Sequence, residues 1–155
     1  MQIGSSGAGV AARRRPPAQR TDYRWFRSIE LRWNDVDAFG HVNNAQFYEF
    51  FDTTVVRFLS ESCDVTGPER LSMVVAENGC RFLREVLFTD VLEMGLRVER
   101  IGSSSVRYGL AVFANGAVEA SAQGHFVHVF IDPARKRPTP MVPQVRAHLS
   151  TISLL

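Results

Sequence analysis

With 155 residues, 45% hydrophobic and 22% charged, the chain has the size and composition of a single globular domain. A domain of that length buries roughly two thirds of the surface its unfolded form would expose. The formal net charge of +2 comes from the first twenty residues, where Arg13, Arg14, Arg15 and Arg20 stand without an acid; residues 21–155 mix 14 basic with 16 acidic side chains, which argues against a nucleic-acid partner.

No apolar run approaches the roughly 20 residues that cross a bilayer, so a membrane-spanning protein is not expected. Cys63 and Cys80, the only cysteines, form no Cys-x-x-Cys pair and lie near no His at zinc spacing. A cytoplasmic protein with free thiols is the simplest expectation.

In chain order, residues 1–20 read as a disordered leader rich in Arg, Gly and Ala, closed by Pro16-Pro17, and residues 21–155 as the domain. Residues 23–33 carry the aromatic and β-branched content of a strand. After a loop over residues 35–44, Phe47, Phe50, Phe51, Thr54, Val55, Phe58 and Leu59 recur at steps of three and four. Only Glu49, Asp52, Thr53 and Arg57 form a wet edge, which predicts a long helix largely enclosed by a curved sheet. Thr66-Gly67-Pro68 ends that region as a loop.

Residues 71–86, 91–101, 106–114 and 117–131 then read as strands, with Asn115-Gly116 predicting a type I′ turn between the last two. Residues 133–140 form a Pro-rich exit, and residues 143–149 a short helix with Pro at its first position. The predicted architecture is α+β: about five mostly antiparallel strands curled around one long central helix, with a short C-terminal helix.

The chemistry concentrates in the loop Asp35-Val36-Asp37-Ala38-Phe39-Gly40-His41-Val42-Asn43-Asn44. Taking Asn43 as N-cap makes Gln46 the N3 residue of an Asn-x-x-Gln capping box, which satisfies the N-cap and N3 donors and leaves the Asn44 amide unpaired. An orphan N–H at the positive end of a helix dipole stabilises a developing oxyanion, and Asp37 upstream can lie beside it. Gly40 supplies the turn and His41 shares the loop. Asp35 reads as structural, because Asp side chains bond their own downstream amides.

Other chemistries lack their residues. Half an EF-hand pattern fails at Phe39 and Gln46, no Gly-x-Ser-x-Gly elbow exists, and His125 and His128, three apart in a strand, face opposite sides. Tyr48 and Phe51 are core positions that can also border a ligand pocket, and Arg84 and Arg107 are candidate contacts for an anionic ligand.

This element order, with Asp-Val-Asp-Ala-Phe-Gly-His-Val-Asn-Asn followed by Phe-Tyr-Glu-Phe-Phe, resembles the hotdog-fold acyl-CoA thioesterases of the 4-hydroxybenzoyl-CoA thioesterase family. The resemblance implies a single hotdog domain that hydrolyses a thioester to free acid and CoA. It assigns Asp37 as catalytic carboxylate and the Asn44 backbone amide as the group polarising the thioester carbonyl, with Gly40, His41, Asn43 and Gln46 shaping the site. It implies no metal or cofactor, acyl-CoA as substrate, and a homodimer or homotetramer with shared active sites. The rival reading is a non-catalytic acyl-CoA or acyl-carrier binding module of the same fold; a dehydratase is disfavoured because no His and acid pair stands in the required arrangement.

Overall fold

The computed structural model describes residues 15–65 and 71–154; the leader before residue 15 and the expected Thr66-Gly67-Pro68 loop lie outside them. Five strands, β1 (Trp25–Ile29), β2 (Met73–Phe82), β3 (Leu92–Ile101), β4 (Ser105–Ala114) and β5 (Ala122–Asp132), follow the predicted order. The long helix α1 (Asn44–Ser60) lies between β1 and β2, and a two-residue β6 (Arg137–Pro138) and the short helix α2 (Pro143–Ser150) follow β5. The strands form one antiparallel sheet in the order β1-β3-β4-β5-β2, with β6 beside β5. The fold is the α+β arrangement expected, a curled sheet holding one long helix.

The helix obeys its sequence period. Phe47, Phe50, Phe51, Thr54, Val55, Phe58 and Leu59 are buried, while Glu49, Asp52, Thr53 and Arg57 are exposed. A glycine in β5 fixes how closely α1 approaches the sheet: a Cβ on Gly124 would stand 2.5 Å from the Phe51 ring and 2.2 Å from the Gly79 carbonyl oxygen. Phe51 therefore packs on bare backbone, edge-on to Phe126 with ring centroids 6.2 Å apart. At the other end of α1, Phe58 stacks on His148 of α2 at 4.1 Å.

Three expectations shift. The first strand is shorter than residues 23–33, because Trp33–Asp35 wind into a 3-10 turn held by the Asp35 carboxylate, which accepts the Arg32 amide at 2.7 Å. The last long strand begins at Ala122 rather than residue 117. The Asn115-Gly116 turn forms as predicted, with φ of 55° and 72° and the Ala117 amide donating to the Ala114 carbonyl at 3.0 Å. Beyond it the chain peels away to pair with the N-terminal segment: the Arg20 amide donates to Val118 at 2.8 Å and the Ala120 amide to Ala18 at 2.9 Å.

The folded body consequently reaches back past residue 21, and residues 15–20 belong to it. Tyr23 follows them onto the sheet, edge-on to Phe113 at 5.7 Å, so this segment covers part of the sheet face opposite α1.

Strand β2 forms one edge of the sheet and carries Val74, Val75 and Phe82, each 45–46% exposed. Strand alternation places His125 and His128 on opposite faces as predicted: His125 contacts Glu77 at 2.8 Å, whereas His128 is buried. Both cysteines are free. Burial pushes the Cys80 thiol up to about 12, which keeps it protonated and unfit as a nucleophile at neutral pH. Among the described residues, no helix is long and apolar enough to cross a membrane.

Candidate active site

The loop between β1 and α1 is organised by two aspartates with different tasks. Asp35 is 1% exposed. Its carboxylate accepts Arg32 Nη2 at 2.8 Å and the Arg32 amide at 2.7 Å, and its carbonyl accepts the Asn43 amide at 2.8 Å. Burial alone would raise its pKa, but the bonds and charge of Arg32 outweigh it and hold the carboxyl below the ordinary carboxylate range. Asp35 is the structural residue expected, and it ties the helix start to the end of the first strand region.

Asp37 turns the other way. Its Oδ1 accepts the Phe39 amide at 2.8 Å and the His41 amide at 3.2 Å, an Asx turn closed by Gly40 at φ 85°. Its Oδ2 has no hydrogen bond to any described residue. One carboxylate oxygen thus anchors the loop while the other remains free in the cleft.

The amides of residues 41–46 show why position 44 differs from its neighbours. His41 donates to Asp37, Val42 to the Val86 carbonyl at 2.8 Å, Asn43 to Asp35, Ala45 to Asn43 Oδ1 at 3.0 Å and Gln46 to the Asn43 carbonyl at 2.9 Å. Among the described residues, the Asn44 amide has no acceptor. The expected orphan is present, although the capping box meant to create it is not: Asn43 caps the N2 amide rather than N3, and Gln46, with its side-chain amide oriented nitrogen-first toward the two carboxylates, donates to Asp35 at 3.2 Å and Glu49 at 3.0 Å. The box fails because the buried Asp35 takes both the Asn43 amide and the Gln46 side chain.

Asp37, His41 and Asn44 line one open cleft of about 530 Å³ with Phe39, Val42 and Phe47 on their side and residues 82–86 opposite. The bond from Val42 to Val86 and a bridge between His41 and Leu87 fasten the two walls together. Sequence reading missed the second wall. Residues 71–86 look like one continuous strand, and only the contact with the loop reveals that the last few bend away to face Asp37.

Of the other candidates, Arg84 reaches the cleft and pairs with Glu119, and His41 Nε2 lies 3.6 Å from Glu85. Arg107 does not reach it. It sits on the opposite face of the sheet in a network with Glu99 at 3.3 Å and Glu77 at 3.0 Å, as the alternation of β4 requires once its neighbour Tyr108 is buried. Phe51 is likewise enclosed in the core, and Tyr48 is half-buried with its ring 6.4 Å from that of Phe51.

The Asp35 arrangement makes a testable statement about stability. Asp35→Ala removes the acceptor of the Arg32 amide and guanidinium and leaves a buried gap, an expected loss of about 1–3 kcal/mol at pH 7. Because the folded-state pKa lies below the unfolded value, the unfolded chain binds more protons as acid is added. The contribution of Asp35 is therefore complete above about pH 4 and fades below it. Urea midpoints at pH 7 and pH 3.5 check this: the gap between parent and variant should narrow at the lower pH.

A family model of the Thioesterase-like superfamily matches residues 31–149. The chain belongs to that superfamily. Solved structures agree in fold: the PA5185 protein of Pseudomonas aeruginosa strain PAO1 is 41% identical, superposes with a TM-score of 0.85, and the match covers 89% of this chain and 97% of that one. A thioesterase of Thermus thermophilus, solved with coenzyme A and Zn, is 29% identical with a TM-score of 0.70, covering 82% and 98%.

Among curated proteins, YsmA of Bacillus subtilis (strain 168) is 25% identical over 87 residues, 56% of this chain and 59% of its own length. The match to the superfamily spans the Asp35–Asp37 loop, α1 and the strands that form the second wall of the cleft. It thus includes every residue placed in the cleft by geometry.

Proposed function

We propose that the protein is an acyl-CoA thioesterase of the 4-hydroxybenzoyl-CoA thioesterase type, hydrolysing a thioester to a free acid and CoA. The observation that carries this reading is the pairing, in one cleft, of a carboxylate with one oxygen unengaged and a helix N-terminal amide with no acceptor among the described residues. The coenzyme A held by the Thermus relative supports CoA as the thiol carrier, and Arg84 at the rim is suited to its phosphates.

The thioester carbonyl oxygen accepts the Asn44 N–H, and the dipole of α1 adds to the polarisation of the carbonyl carbon. Asp37 Oδ2 then acts by one of two routes. It takes a proton from water as the water oxygen attacks the carbonyl carbon, or it attacks that carbon itself to give a mixed anhydride that water later opens. In both routes charge collects on the carbonyl oxygen against the Asn44 amide, the C–S bond breaks, and CoA leaves as thiolate to gain a proton. Oδ1, held by two loop amides, keeps the carboxylate aimed, and the buried Asp35 below it keeps the helix start in place.

We also assign a homodimer, or a pair of dimers, in which a second chain completes the cleft. The long edge strand β2, with its exposed valines and Phe82, and the cleft at its end support this, since unpaired edges are normally covered. Release of free thiol from an acyl-CoA panel tests the function. Turnover supports it, whereas thermal stabilisation by acyl-CoA with no thiol released identifies a binding module instead.

A further inference from the structure

We infer that Phe82 and Phe47 form the end wall of the acyl site and restrict it to short acyl groups, an inference that rests on the thioesterase reading above and concerns the same cleft. Phe47 lies three residues after Asn44 on α1, roughly 4.5 Å of helix rise. Its ring stands edge-on to Phe82, with centroids 5.2 Å apart and planes at 82°, and both rings line the cleft.

Phe47 cannot swing inward, because Phe50 backs it at 6.1 Å. Beyond Phe50 the space between α1 and the sheet is solid: Phe51 and Val55 are fully buried, and Phe51 rests against the backbone at Gly124. Among the described residues, the lining of the cleft takes no residue of α1 beyond Phe47.

A thioester whose carbonyl oxygen sits on the Asn44 amide meets this wall within a few bonds. An extended chain advances about 1.2 Å per bond, so 4.5 Å accommodates roughly four. Groups of up to about five carbons fit, and a chain running well past the wall must leave its tail in water or force the rings apart, at about 10-fold or more in kcat/KM in all. Phe82 is the adjustable half of the wall. It lies at the end of the edge strand β2, 45% exposed, and pairs through its backbone with Ala122, so its ring can be removed without opening the core.

The test compares the parent with Phe82→Ala in two readouts: kcat/KM for straight-chain acyl-CoAs from four to sixteen carbons, and dissociation constants for the matching S-alkyl-CoA thioethers, which cannot be hydrolysed. In the parent, both readouts should favour chains of six carbons or fewer by at least about 10-fold over twelve. In Phe82→Ala the optimum should move up by about four carbons, the length of the lost ring.

Phe82→Trp should move it down, and this second variant serves if the alanine variant does not fold. Parent preference for twelve to sixteen carbons, or superimposable profiles for parent and variants, overturns the inference. The thioether arm separates the two proposals: a shifted binding profile without thiol release upholds the wall and refutes hydrolysis, and absence of thioether binding refutes the wall.

Discussion

Asp37→Asn is expected to lower kcat/KM for acyl-CoA hydrolysis by at least about 10²- to 10³-fold while leaving the fold intact. The substitution isolates charge from shape. Asp37 Oδ1 accepts the Phe39 and His41 amides, and asparagine retains an equivalent oxygen, so the Asx turn and the Gly40 bend survive. What changes is the second position, where the unengaged Oδ2 becomes an NH₂ that can neither attack a carbonyl nor accept a proton. An unchanged melting temperature with thiol release reduced by this factor is the predicted outcome. A rate within a few-fold of the parent's would remove Asp37 from the chemistry and point to another group in the cleft.

Phe51→Ala should destabilise the protein by about 3–5 kcal/mol, at the upper end for a core truncation. Phe51 has no solvent exposure and its ring lies against the Gly124 backbone, where a Cβ already has no room. Neither side can close the gap. The sheet presents main chain fixed by hydrogen bonds from β2 to β5 and from β4 to β5, and α1 is held at both ends, by the Asp35 network and by the stack of Phe58 on His148. Urea denaturation with an unchanged m-value and a lowered midpoint checks the size of the loss. A loss below about 1 kcal/mol would show that the helix settles onto the sheet and that its distance is not fixed at Gly124.

The elements legible in the sequence were those whose patterns are local. The buried face of α1, its four-residue wet edge and the Asn115-Gly116 turn all follow from periodicity or from a backbone conformation that few residues adopt. The candidate site could be nominated for the same reason: an N-cap, a glycine turn and an upstream carboxylate fall within ten residues. What sequence reading lost was set by contacts between distant segments. Residues 118–120 look like strand, but they pair with residues 18–20 instead of β4. Residues 82–86 continue a β pattern yet bend to face Asp37, and Gln46 fits a capping box until a buried Asp35 competes for it. Arg107 and Arg84 are indistinguishable in composition; Arg107 falls on the sheet face away from the cleft, whereas Arg84 lies past the end of β2 where the chain turns to line it.

The reading stands or falls on where the substrate oxygen sits. A crystal structure of Asp37→Asn soaked with a short acyl-CoA tests it most directly. The account predicts the thioester carbonyl oxygen 2.7–3.1 Å from the Asn44 amide nitrogen, with its carbon beside residue 37. An acyl group bound elsewhere, or an Asn44 amide already engaged by a residue of either subunit, would contradict it.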